Sequence, residues 1–95
     1  MNELAILKVI KYLEEDVYLP KAHWDKRRFK QQSYARAALN DILKRLIDKP
    51  GHDPHSIVEE YLIETVIFSS MAKTDDAMLM FEIANHMGED VFAII

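Results

Sequence analysis

The feature that most constrains the fold is an apolar run at residues 57–71, IVEEYLIETVIFSSM. Its apolar residues recur every three or four positions, the spacing of a helical face, and fill two adjacent stripes. The first stripe contains Ile57, Tyr61, Phe68 and Met71, and the second contains Val58, Leu62 and Val66. Ile63 and Ile67 fall on the far side, beside Glu59 and Glu60. A helix that is apolar nearly all round is either central in its own fold or paired with another molecule.

The same run also contains residues that favour β-strands, among them Val66, Ile67 and Phe68. However, its apolar residues come in adjacent pairs separated by Glu64-Thr65, which fits helical turns better than the alternation of a strand. No glycine-rich turn and no obvious partner strand lies nearby. The sequence therefore predicts a helix here.

Composition indicates one small folded domain. The chain has 95 residues, of which 49% are hydrophobic, so we expect one core and little room for a deep pocket. It has no cysteine, which excludes disulfides and thiolate metal sites and fits a reducing compartment. No run reaches the ~18 apolar residues of a membrane span, and residues 1–16 do not resemble a secretory signal. We therefore expect a cytoplasmic protein.

Two helices are predicted in the first half of the chain. Asn2 is placed to cap a helix that runs to about Asp16 and ends before Leu19-Pro20, because proline disfavours a helical residue before it. Its apolar stripe comprises Ile6, Ile10, Leu13 and Val17, widened by Leu7 and Val9. The second helix is expected to start at Pro20, at Asp25 as a cap, or as late as Ser33, and its firm part is Tyr34–Lys49. Its stripe comprises Ala35, Ala38, Leu39, Ile42, Leu43 and Leu46.

The third helix has two start signals. Asp53-Pro54 fits a cap followed by proline at the first helical position. Ser56, with Glu59 three residues later, fits a capping box. We therefore expect the third helix at about Pro54–Ala72.

The fourth helix follows a short connection, with Thr74 as its predicted cap. Its apolar face comprises Ala77, Met80, Ala84, Met87 and Val91. Gly88 is expected to close it, which leaves residues 89–95 as a final turn or two. Because short connections make consecutive helices antiparallel neighbours, the predicted fold is all-α: a single-domain, up-down four-helix bundle over residues 1–95, with dimerisation left open.

Charge is unevenly distributed along the chain. The net charge is −4, with a balance of −2 over residues 1–20, +6 over residues 21–49 and −8 over residues 50–95. Such asymmetry can indicate an anionic partner for the basic part. The favoured interpretation is that a basic helix lies beside acidic ones, so that the charges cancel within the monomer.

The segment 18–36, YLPKAHWDKRRFKQQSYAR, mixes cations with aromatic residues. Cations neutralise phosphates and aromatic faces stack on bases, so this segment is a candidate surface for nucleic acid or another anionic partner. The candidate residues are Lys21, Trp24, Lys26, Arg27, Arg28, Lys30, Tyr34 and Arg36. The same residue types dominate protein interfaces, and the simplest alternative is a solvated basic face with Trp24 and Phe29 covering the end of the bundle.

No arrangement of residues predicts catalysis or a metal site. His52, Asp53 and His55 offer at most three ligands, on a loop whose proline and aspartate already explain it as a turn. Glu82 and His86 lie on the outer side of the fourth helix, and the Glu-x-x-His pairs of di-iron bundles are absent. No glycine-rich phosphate loop and no serine in a nucleophile context occur. The sequence predicts no enzyme, no metal site and no cofactor.

The functional prediction is a non-catalytic module of accessory or regulatory type that acts through protein contacts, self-association included. Apolar residues that the predicted core leaves outside motivate it, because exposing several together is unfavourable unless a partner covers them. The predicted interface comprises Ile63, Val66, Ile67, Met78, Leu79, Phe92, Ile94 and Ile95. Nucleic-acid binding through segment 18–36 is the alternative.

Overall fold

The computed structural model describes residues 2–16 and 28–95, except for the side chains of Arg28 and Phe29. This part of the chain forms four helices and contains no strand. They are α1 (Glu3–Glu14), α2 (Arg28–Asp48), α3 (Pro54–Met71) and α4 (Asp75–Ile94). The predicted all-α class and helical bundle are confirmed, and the apolar run is a helix. The predicted break at Leu19-Pro20 and the core position of Val17 lie outside the described residues.

Contacts near the helix ends show that sequence neighbours run antiparallel. The side chain of Asn2, at the start of α1, reaches the end of α2. Lys49, just after α2, pairs with Glu60 in the first half of α3, with 3.8 Å between Nζ and Oε2. His55 at the start of α3 lies against Phe92 near the end of α4, with ring centroids 5.0 Å apart. α4 packs against both α2 and α3, whereas α1 packs mainly against α2.

The starts of α3 and α4 follow the predicted signals with one exception. The Thr74 hydroxyl accepts a hydrogen bond of 3.1 Å from the backbone amide three residues later, as expected of a cap. Asp53 occupies the cap position of α3, and Pro54 is its first residue. The capping box predicted at Ser56 and Glu59 is wrong. Ser56 lies inside the helix, and its hydroxyl donates to the Asp53 carboxylate at 3.2 Å.

Asn2 stands at the cap position of α1, but its side chain makes no capping hydrogen bond. Its Nδ2 donates instead to the carbonyls of Leu46, at 3.1 Å, and Lys49, at 2.7 Å. The last four carbonyls of a helix have no partner within it, and the Leu46 carbonyl is one of these in α2. Asn2, which is 1% exposed, therefore joins the start of α1 to the end of α2.

The buried face of α1 differs from the predicted stripe. Ala5 and Val9 are buried, whereas the larger residues predicted for the core are half-buried or exposed. Ile6, Ile10 and Leu13 are half-buried, and Leu7 is exposed. The polar contacts of Asn2 place its side of α1 against α2, and small Ala5 follows on that side. The prediction from apolar spacing did not take burial of Asn2 into account, and it therefore gave the wrong rotation of α1 about its axis.

The core lies between α2, α3 and the second half of α4. Its buried apolar residues are Ala5, Val9, Ala35, Ala38, Leu39, Ile42, Leu46, Ile57, Val58, Tyr61, Ile83, Ala84, Met87 and Val91. The stripe predicted for α2 is confirmed, except that Leu43 is half-buried against the core.

Gly88 does not end the fourth helix as predicted, because α4 continues to Ile94. This glycine is buried where α4 meets α3. A Cβ atom added to it would lie 2.7 Å from Leu62 Cδ2 and 3.1 Å from Leu62 Cγ. Gly88 therefore permits a close approach of the two helices. It is a packing position between α3 and α4 and does not end α4.

The second half of α3 extends past the core. The buried residues of α4 begin at Ile83, and in an antiparallel pair they lie opposite the first half of α3. Beyond Thr65, α3 therefore has few core partners, and Phe68 and Met71 are 48% and 65% exposed although both belong to a predicted apolar stripe. Met80, predicted for the apolar face of α4, is likewise exposed. None of the helices in the described residues is long and apolar enough to cross a membrane.

Candidate functional site

The α3–α4 hairpin presents a solvent-facing apolar surface. Ile63, Val66, Ile67 and Met78, which we call the outer face, are between 51% and 58% exposed. On α3 they share a side because they follow one another at three- and four-residue steps, opposite buried Tyr61. The structure thus leaves in solvent four of the residues predicted from the sequence to form an interface.

A groove of about 350 Å³ opens between the two helices on this side. Its α3 wall includes Val66 and Ser70, and its α4 wall includes Met78, Glu82 and Asn85. The polar groups at the groove are largely occupied. The Ser70 hydroxyl donates to the Ile67 carbonyl at 2.6 Å. The lining is therefore apolar with a polar edge, a composition suited to receiving an apolar side chain.

Thr65 lies at the base of this groove and is buried. Its hydroxyl donates to the Leu62 carbonyl at 2.8 Å and lies 3.4 Å from Oδ1 of Asn85 on α4. The amide nitrogen of Asn85 in turn donates to Glu89 at 3.3 Å. A hydroxyl that donates to the preceding turn of its own helix has no activating base, so Thr65 is not arranged as a nucleophile.

Three acids of the hairpin form ion pairs with cations in α2 or just after it. Arg45 Nη2 lies 2.7 Å from a carboxylate oxygen of Glu64, and this hydrogen bond raises the pKa of Arg45. Lys30 Nζ lies 2.9 Å from the Asp76 carboxylate. Lys49 similarly pairs with Glu60. The described ion pairs thus agree with cancellation of the basic and acidic segments within one chain.

The acids on the other side of the hairpin have no such partners. Glu59, Asp75 and Glu82 are exposed, and none of the lysine or arginine side chains that the structure describes pairs with them. Lys73 is the only lysine or arginine between residues 50 and 95. Among the described residues, the outer face therefore combines exposed apolar side chains with glutamates and an aspartate that have no cation partner.

The remaining predicted interface residues do not join the outer face. Leu79 and Ile95 are half-buried and pack against the core. Phe92, 40% exposed, lies at the opposite end of the hairpin against His55, and its neighbour Ile94 is half-buried. The apolar chain end is thus largely held by the domain itself, because α4 extends to Ile94.

A second groove, of about 250 Å³, lies on the α2 side of the hairpin. Tyr34, Phe68, Met80 and Phe81 contribute its aromatic and apolar lining, with the Phe68 and Phe81 rings stacked at 5.5 Å.

Tyr61 lies at the inner part of this second groove. Burial raises the pKa of Tyr61 to about 12, nearby Asp41 adds to the rise, and Arg45 opposes it from 4.9 Å above the ring. A phenol held protonated in this way is not a base at neutral pH. The second groove therefore combines an aromatic and apolar lining with a tyrosine that stays protonated at neutral pH.

Of the predicted basic and aromatic surface, three side chains are described. Lys30 is engaged by Asp76 as above, and Arg36 Nη1 lies 3.6 Å from the Asp16 carboxylate. Tyr34 is half-buried against the core. Lys21, Trp24, Lys26 and Arg27 lie outside the described residues, as does the side chain of Arg28, so the nucleic-acid alternative stays a prediction.

The described histidines do not belong to a cluster of three potential metal ligands. Within the described residues, no three His, Asp or Glu side chains are close enough to hold a metal ion. His55 lies 4.0 Å from the Asp53 carboxylate and is turned to Phe92. Glu82 and His86 are both exposed, as their outer position predicted.

Sequence reasoning missed part of the exposed apolar surface. Phe68, Met71 and Met80 belong to predicted apolar stripes, yet they are 48%, 65% and 38% exposed. The sequence of α4 gave no warning, because residues 78–81, MLMF, are as apolar as the part that is buried. In the structure, burial in α4 begins only at Ile83, so the end of α3 has few buried partners, although Phe68 stacks on Phe81.

No protein-family model, characterised protein or solved structure shows a significant match to this chain.

Proposed function

We propose that this chain is a non-catalytic protein-interaction module that binds its partner through the outer face of the α3–α4 hairpin. The observation that carries the proposal is the joint exposure of Ile63, Val66, Ile67 and Met78 beside a groove. Single exposed apolar residues are ordinary on protein surfaces, whereas several together on one face are typical of interaction sites. The hydrogen bonds that Thr65, Ser70 and Asn85 make within the hairpin support a binding role for the groove over a catalytic one.

The energetics favour a covered outer face. Fully burying an isoleucine, valine or methionine side chain contributes about 1.5–3 kcal/mol, and these four are each about half buried already. A partner that covers the remaining halves would therefore gain several kcal/mol, before the entropic cost of association is subtracted. That gain is enough for a stable complex only if the partner also fills the groove.

Self-association is the first form of the proposal to test. Sedimentation velocity at micromolar concentration is measured for the wild type, for Ile63→Lys/Ile67→Glu, and for a control, Leu4→Lys/Leu7→Glu. The control changes two equally exposed leucines on α1. A dimer that is lost in the first variant and kept in the control would make a second copy the partner. A monomeric wild type removes self-association and leaves binding to another protein.

Binding to another protein is tested by selecting a displayed library of helical peptides against the immobilised wild-type chain. The proposal expects that enriched peptides bind the Leu4→Lys/Leu7→Glu control as they bind the wild type. It expects them to lose at least tenfold in affinity for Ile63→Lys/Ile67→Glu, because an anchor contact is worth about 1.4 kcal/mol or more. Peptides that bind both variants equally would place the binding surface elsewhere and overturn the proposal.

A further inference from the structure

Acidic residues continue the apolar rows of the outer face on both helices. On α3, Glu59 precedes Ile63 by four residues, so the two share a side of the helix. On α4, Glu82 follows Met78 by four residues, and Glu89 follows Glu82 by seven. All three glutamates are exposed. On each helix, the row of exposed apolar residues is therefore continued on the same side by exposed glutamate.

Among the described residues, the glutamates of these rows lack the cation partners that neighbouring acids of the hairpin have. Glu64 and Asp76 are paired with cations of α2. Glu60, which lies beside Ile63 at the edge of the outer face, is paired with Lys49 just after α2. Glu59 and Glu82 have no cation partner in the part of the chain that the structure describes. A partner that carried acids against this face would meet like charges at short range, whereas one that carried cations would gain pairs at the rim.

We propose that the outer face binds a cationic amphipathic helix of another protein. The inference rests on the proposed function and adds the chemistry of the partner. Apolar residues on one side of that helix enter the groove between Val66 and Met78, in the manner of helix-in-groove recognition. Lysines or arginines along its edges meet Glu59 and Glu82. The apolar contacts supply affinity, and the charges select the partner and its orientation.

Charge argues against a second copy as the occupant. Two outer faces brought together would each present the same unpaired glutamates, and Lys73 is the only lysine or arginine that residues 50–95 could offer in return. Lys30 and Arg45 of α2, and Lys49 just after it, are already engaged by acids of their own chain. A symmetric dimer through this face would therefore bury apolar surface at the cost of like-charge repulsion.

The test uses two synthetic helical peptides of about 18 residues with the same leucine pattern, one with lysine and one with glutamate at the polar positions. Binding to the full-length chain is measured by fluorescence anisotropy over a range of salt. The lysine peptide should bind at least tenfold more tightly than the glutamate peptide at low salt. Because screened rim charges supply the difference, the preference should shrink as salt is raised.

Protein variants locate the effect. Glu59→Gln/Glu82→Gln removes two charges of the outer face without changing side-chain volume, and should weaken binding of the lysine peptide about fivefold. The control Glu14→Gln/Asp48→Asn removes two exposed acids on α1 and α2, and should leave binding within about twofold. An equal loss in both variants would mean that net charge alone attracts the peptide, and would overturn the inference.

The other outcomes separate this inference from the proposed function. If both peptides bind equally and both are lost in Ile63→Lys/Ile67→Glu, the face is an apolar docking site without charge preference, so the cationic partner is wrong while the proposed function stands. If neither peptide binds at up to about 1 mM, the cationic partner is also wrong, and the library selection decides the proposed function. A tight wild-type dimer that excludes the lysine peptide would make a second copy the occupant.

Discussion

At the scale of single residues, Asn2 shows how one buried polar side chain fixes the position of a helix. Its amide supplies two hydrogen bonds to carbonyls at the end of α2, and it is almost fully buried. Its Oδ1 has no partner among the described residues. The two donated hydrogen bonds raise the free energy of unfolding, and the desolvation of the unpaired Oδ1 lowers it. The net contribution of Asn2 to stability is the difference between these two effects.

We predict that Asn2→Ala lowers the free energy of unfolding by about 1–3 kcal/mol, because the carbonyls of Leu46 and Lys49 lose buried donors. Urea denaturation followed by circular dichroism measures the change. The matched control is Asn40→Ala, at an exposed position of α2, where a change within about 0.5 kcal/mol is expected. Equal effects at the two positions would show that the Asn2 contacts do not stabilise the fold.

Tyr61 gives a pH dependence of known sign. Its pKa is about 12 in the folded chain, against an ordinary value of 10.0. Between these values the unfolded chain has released a proton that the folded chain retains, so raising the pH favours unfolding. The stabilisation is complete below about pH 10 and is lost as the pH rises towards 12.

We therefore predict that the wild type loses stability more steeply than Tyr61→Phe between pH 10 and about 12. The comparison cancels lysine deprotonation, which both proteins share. Unfolding free energies from urea titrations across this range measure the two slopes. Parallel slopes would contradict a buried, protonated phenol at position 61.

At the scale of elements, the separation of α3 and α4 depends on Gly88. With no side chain there, Leu62 of α3 occupies the space that a Cβ atom would need. We predict that Gly88→Val destabilises the fold by about 2 kcal/mol, since overpacking a tight contact costs about 1–3 kcal/mol. Thermal and urea unfolding measure this change.

Two controls test that explanation. Leu62→Ala frees the space above position 88, so the double variant Gly88→Val/Leu62→Ala should be more stable than the sum of the single effects predicts. Gly51→Ala, where no atom lies within 4 Å of the added carbon, should have little effect or stabilise slightly. Additive effects of the two single substitutions at 62 and 88 would exclude the steric explanation.

How far the sequence predicts the elements depends on which interaction fixes each one. α2 was predicted correctly because its buried face is a continuous apolar stripe, from Ala35 to Leu46. The rotation of α1 was not, because hydrogen bonds from Asn2 to a distant helix end outweigh its larger apolar residues. The length of α4 was also predicted wrongly. Glycine often ends a helix, but Gly88 lies inside α4 and allows close contact with Leu62 of α3.

At the scale of the whole molecule, the structure separates residues that hold the fold together from those available to a partner. Ile63, Val66, Ile67 and Met78 each expose about half of their surface. We predict that replacing all four by glutamine changes the free energy of unfolding by less than about 2 kcal/mol, since exposed substitutions usually lie within about 0.5 kcal/mol each. Replacing Ile57, which is 3% exposed, by glutamine should alone cost more than this.

Urea unfolding of these two variants measures the difference, and peptide binding measured in parallel should be lost only in the fourfold variant. An unstable fourfold variant would mean that the outer face supports the fold.

The candidate site is the part of the molecule that the sequence predicts only in outline. Helical spacing placed Ile63 and Ile67 outside, whereas the groove and the pairing of Arg45 with Glu64 depend on how three helices meet.

The contact between Gly88 and Leu62 also bears on ancestry. A chain that descends from the same ancestor and keeps α3 and α4 equally close must have a small residue at position 88, or a smaller residue at position 62 when position 88 is larger. Covariation of positions 62 and 88, together with an asparagine at the start of α1, would identify distant homologues whose overall sequence identity is low. Acidic residues at positions 59 and 82 would then tell whether these homologues also share a ligand.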